Sequence, residues 1–85
     1  MDEAELAQKT FNLVNTFADR VSERDLEGLR SMAGGGEWDE LLDLLVAALS
    51  QTRVPVTDWE RNELRDVLVG WGMPTDPLGD LGTSG

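Results

Sequence analysis

Residues 37–51, EWDELLDLLVAALSQ, place Trp38, Leu41, Leu42, Leu45, Ala48 and Leu49 on one broad face, and Leu44 and Val46 widen it. Apolar positions recurring at steps of three and four residues mark an α-helix. A helix apolar over most of its circumference has to be surrounded, so this segment is the centre around which the other elements pack. Its acids, Glu37, Asp39, Glu40 and Asp43, crowd the first half. The helix dipole favours carboxylates at that end, but like charges three and four residues apart repel mildly and offset part of the benefit.

Upstream of this helix stand Gly34, Gly35 and Gly36. Glycine readily takes the left-handed conformation of a helix end, so a short second helix stops there. Ser22 can cap its start, with Glu23, Asp25 and Glu27 favoured by the dipole, and Leu26, Leu29, Met32 and Ala33 supply its inner face. The glycines read as a joint between helices. A phosphate cradle would need a preceding strand and a following Lys with Ser or Thr, whereas Glu37 and Trp38 follow. From about Asp2 to Arg20, a first helix carries Leu6, Leu13, Val14, Phe17 and Val21 on one stripe. Phe11 lies off that stripe and reads as a ring covering the edge of the core.

Downstream, Val54-Pro55-Val56 is an extended connection, because proline restricts the residue before it. Thr57 and Glu60 form the T-x-x-E pattern of a capping box. Leu64, Val67, Leu68 and Trp71 then stand at i, i+3, i+4 and i+7, and Gly72 with Pro74 closes a fourth helix running from about Asp58 to Trp71. The reading is all-α: a small four-helix bundle over residues 1–73. Residues 74–85, PTDPLGDLGTSG, have the composition of a flexible tail, with Leu78 and Leu81 able to dock on the bundle.

The whole chain has 85 residues, 17 acidic and 7 basic side chains, no His and no Cys, for a formal charge of −10. So short a chain commits most of its apolar residues to one core and leaves few for a substrate pocket. The charge disfavours nucleic acid and anionic membranes and favours a basic protein, which it would attract by field steering. The absence of cysteine suits a reducing compartment. The start, MDEAEL, lacks the basic and apolar regions of a secretory signal, and the apolar run Leu44–Leu49 is too short to span a bilayer, so a cytoplasmic location is expected.

Chemistry leaves few candidates. Without His or Cys, nucleophilic catalysis would need an unusual Ser, Lys or carboxylate arrangement, and Lys9, the only lysine, reads as a solvated partner for nearby acids. The pairs Asp39/Asp43 and Glu60/Glu63 share helix faces, but the dipole and solvent account for them, and no stretch has the ligand pattern of a calcium loop. No catalytic residue, cofactor or metal ligand is expected. The same acids and the tryptophans are candidates for protein binding. Glu37, Trp38, Asp39, Glu40 and Asp43 form one patch, and Trp59, Glu60 and Glu63 a second. Trp71 lies on the core stripe, while Trp38 and Trp59 sit in first turns, where inward packing is the preferred reading.

Three pieces of the run from Leu29 to Gly72 carry a resemblance: the Gly36-Glu37-Trp38 step, the LLDLLVAAL helix, and the Val54-Pro55-Val56-Thr57 connection into a last acidic helix. Together they resemble small bacterial immunity proteins of the contact-dependent inhibition and Maf polymorphic-toxin type. The resemblance covers about half the chain. It implies a non-enzymatic domain that binds and neutralises a cognate basic, nuclease-type toxin domain. Two alternatives stay open. An acyl- or peptidyl-carrier-like domain matches in size and charge, although Ser31 stands in Arg-Ser-Met and not in the Asp-Ser-Leu step of carriers. A homo-oligomeric adaptor would complete its apolar third helix with a second copy. The chain is accordingly expected to be a monomer or a homodimer.

Overall fold

The computed structural model describes residues 2–83. Four helices form, with only the end of α1 away from where the local signals place it: α1 Glu3–Thr16, α2 Glu23–Gly34, α3 Trp38–Thr52 and α4 Asp58–Gly70. Three of them open on side-chain caps. The Asp2 carboxylate accepts from the Glu5 amide at 2.8 Å, and the Ser22 hydroxyl from that of Asp25 at 3.1 Å. At α4 the capping box is complete: Thr57 Oγ1 accepts from the Glu60 amide and Glu60 Oε1 from the Thr57 amide, at 3.1 and 3.0 Å.

Two helices close in the same way. The Glu37 amide reaches back to the Met32 carbonyl and that of Gly36 to Ala33, just as the Met73 amide reaches Leu68 and that of Gly72 reaches Val69. Each pattern needs a left-handed residue, supplied by Gly36 at φ 70° and Gly72 at φ 73°. α1 ends four residues before Arg20, where the stripe led us to expect it to continue. The Arg20 guanidinium donates to the Thr16 carbonyl at 3.1 Å, an acceptor that a longer helix would give to the Arg20 amide, and that amide bonds to Phe17 instead. Phe17 is fully buried all the same, so the stripe outlasts the helix.

α3 is the centre of the core. Leu41, Leu42, Leu45 and Leu49 are inaccessible, and α2, α1 and the C-terminal segment pack around them. Its apolar face is therefore largely covered by the chain itself, with Leu44 partly buried at the edge.

The C-terminal segment docks. Asp76–Asp80 forms a 3-10 turn, and Leu78 and Leu81 join the core with 2% and 5% exposure. The extended pair β1, Pro55–Val56, lies parallel to β2, Gly82–Thr83, with Pro55 opposite Gly82. The Arg61 guanidinium donates to the carbonyls of Leu78 and Leu81, holding the turn to α4. The flexible tail expected over residues 74–85 is thus packed as far as Thr83, because two leucines and one arginine outweigh its Pro/Gly composition. The final two residues, Ser84 and Gly85, lie outside the described residues.

Candidate functional site

The second of the two expected patches is dispersed. Glu60 is 8% exposed and faces Arg20, whose two terminal nitrogens reach its two carboxylate oxygens at 2.8 and 2.5 Å. Such bidentate, charge-assisted pairs are among the stronger polar contacts in proteins. The Arg20 hydrogen bonds, and to a smaller degree the Thr57 amide, hold the Glu60 carboxyl down to about 2, against an opposing effect of burial. Arg20 also lies over the Phe17 ring, 4.6 Å from its centroid. Glu60 therefore locks the end of α1 to the start of α4 and is not available to a partner.

Glu63 is likewise engaged, 2.9 Å from Lys9, which also pairs with Asp66 at 3.2 Å. This pairing bears out the reading of Lys9 as a partner for acids, and the hydrogen bonds to Glu63 and Asp66 raise its pKa. Trp59 departs from the preferred inward reading: it is 66% exposed. A signal for this was present, since Trp59 lies five residues before Leu64 and off the stripe that Leu64, Val67, Leu68 and Trp71 define.

The first patch stays together at the start of α3. Trp38 is half-buried and stacks on Trp71, with centroids 6.4 Å apart and planes within 14°. The Trp71 indole donates to Thr10 Oγ1 at 3.0 Å, and Thr10 in turn donates to the Leu6 carbonyl at 2.8 Å, so a buried threonine ties α1 to the end of α4. Among the described residues no buried side-chain polar atom lacks a partner. Beside Trp38, an open groove of about 470 Å³ is lined by Ala4, Ala7, Gln8 and Phe11 of α1. Phe11 is 39% exposed and forms a groove wall. The groove went unread in the sequence, although Ala4, Ala7 and Phe11 stand at i, i+3 and i+7.

Around Trp38, the side chains of Glu37, Asp39, Glu40 and Asp43 are all exposed. No basic residue occurs between Ser31 and Thr52 to relieve them. The Glu40 pKa is raised, first by a hydrogen bond with Glu37 and then by that residue's charge, with smaller contributions from slight desolvation, Asp39 and Asp43. Among the described residues, Asp19, Glu60, Glu63 and Asp66 are the acids in ion pairs, and the acids of the α3 start face solvent. Ser31 is exposed in the last turn of α2, away from any helix start. Among the described residues, no helix is long and apolar enough to cross a membrane.

Fold and surface together define a class: a small all-α bundle with an uncompensated acidic patch beside an aromatic groove. No protein-family model matches this chain, and no match was found among curated proteins or solved structures.

Proposed function

We propose that this chain is a non-enzymatic cytoplasmic binding domain that neutralises a basic, nuclease-type toxin domain, as an immunity protein does. The observation that carries the reading is the start of α3, where Glu37, Asp39, Glu40 and Asp43 are exposed without a basic neighbour in the segment and Glu40 is pushed toward its neutral form. Crowded carboxylates of this kind gain from a cationic surface what they lack within their own chain. A nuclease presents such a surface in the groove that holds phosphate, and an acidic domain lodged there excludes substrate by charge and by bulk. Glu60 and Glu63 support the fold that presents the patch, and Trp59 offers a separate exposed aromatic.

The test is retention of a basic protein from lysate of the source organism at low salt and its release at high salt, followed by expression of that protein alone and with this chain. Growth arrest relieved only by co-expression is expected. Recovery of the chain's own copies or of acyl-chain enzymes would move the reading to an adaptor or a carrier. Asp39→Lys with Asp43→Lys should slow association with the retained partner more than it speeds dissociation, because exposed charges act mainly by steering. Unchanged rates would reduce the patch to a solvated face.

A further inference from the structure

We infer that the groove between α1 and α3 is the seat for a basic amphipathic helix of the partner, its apolar side against Phe11 and Trp38 and its cations on the carboxylates to either side. This inference rests on the proposed function and assigns it a surface and a mode of binding.

Apolar and charged features coincide at this groove. Its lining residues are Ala4, Ala7, Gln8, Phe11 and Trp38, with no charge among them. Ala4 stands between Glu3 and Glu5, and Trp38 between Glu37 and Asp39, all four acids exposed. The two helices contribute a single basic residue, Lys9, and Glu63 and Asp66 hold it on the α4 side. A helix start carries only about half a positive charge, less than the acids on either wall. Another hollow, lined by Ser50, Arg53, Asp80, Leu81 and Gly82, mixes both signs and has no aromatic wall.

The groove also favours a helix over an extended peptide. Its walls are side chains of two helices, with no strand edge along which an extended peptide could pair. Alanines at i and i+3 let another helix approach closely, and Phe11 one turn further gives its apolar side a ring to close on. Trp38 is braced from behind by Trp71, which is itself fixed by Thr10, so the wall is set before a partner arrives.

The test uses two synthetic peptides of identical Lys/Leu composition, one patterned as an amphipathic helix and one scrambled, titrated into the full chain while the indole N–H and backbone amide signals are followed by NMR. The patterned peptide should perturb Trp38, Ala4 and Ala7, leave Trp59 unchanged, and bind at least about tenfold more tightly than the scrambled one. Ala4→Gln with Ala7→Gln fills the groove without adding charge and should weaken binding by about tenfold; unmoved amide signals of the buried Leu42 and Leu45 report that the fold is intact. Equal binding of the two peptides, shifts centred away from Trp38, no binding, or full affinity in the filled variant would each overturn the groove. The toxin-type partner separates this failure from failure of the proposed function. Binding lost on Asp39→Lys/Asp43→Lys but retained on filling the groove overturns the groove alone, and retention in both variants overturns the acidic patch as well.

Discussion

Glu60→Gln removes one charge and little volume, and its effect should depend on pH in a way that no simple packing defect would. Holding the folded carboxyl at about 2 instead of 4.5 corresponds to about 3 kcal/mol, at about 1.4 kcal/mol per tenfold change in proton affinity. That figure is a ceiling. Arg20 keeps 26% of its side chain exposed, so water screens part of the pair, and glutamine retains an oxygen for the Thr57 amide. A loss of about 2 kcal/mol at neutral pH is expected, between the near-zero value of surface pairs and the larger cost of breaking a buried one. A domain of this size has only about 4–13 kcal/mol in total. Because folding lowers this pKa, the stabilisation is fully present above 4.5 and drains away as pH falls through about 2. The gap between wild type and variant should therefore shrink to less than half by about pH 3. Urea unfolding followed by tryptophan fluorescence, run on both proteins at each pH, cancels the effects of the other carboxylates. With a slope of about 1 kcal/mol/M, the midpoint at neutral pH should drop by about 2 M. A gap that stays constant from neutral to acid pH, or stays below about 0.5 kcal/mol throughout, would refute the assignment of Glu60 to the Arg20 clamp.

Leu78→Ala should cost about 2–4 kcal/mol, and a stop after Met73 more, because the packed turn is part of the core; an unchanged melting temperature by circular dichroism would show that the segment is dispensable. Gly34→Ala should stabilise by about 0.5–1 kcal/mol, since the added methyl meets nothing within 4 Å inside α2. Two residues on, Gly36→Ala should destabilise by about 1–2 kcal/mol, because φ is +70° there, and chemical denaturation of the two variants side by side reads the contrast. Glu40→Gln should raise the melting temperature at neutral pH, because a carboxyl whose pKa is raised by folding destabilises the fold when ionised; the gain should vanish in acid, where Glu40 is protonated in both states.

Much of the architecture was legible from residues close together in the chain. The caps at Ser22 and Thr57, the closures at Gly36 and Gly72 and the apolar stripe of α3 all operate within one or two turns of helix, and each appears where the spacing places it. The first patch was legible for the same reason: Glu37, Trp38, Asp39, Glu40 and Asp43 share one segment, so no folding event could scatter them. The second patch was not. Glu60 and Glu63 look alike in the sequence, both acids in an acidic helix, yet one meets Arg20 from forty residues away and the other Lys9 from more than fifty.

The sequence by itself thus determined four helices, their ends except that of α1, the central place of α3 and the sign of the surface, because propensity, capping and periodicity are local and charge is a sum. Only the tertiary structure decided which acids are engaged within the fold and which face solvent, that Trp59 lies outside while Trp38 is braced by Trp71, that Leu78 and Leu81 draw a Pro/Gly-rich segment into the core, and that Ala4, Ala7 and Phe11 meet Trp38 in a groove. Each of these depends on which helices lie side by side, and that is settled by the packing of the whole core, in which residues distant in the chain become neighbours.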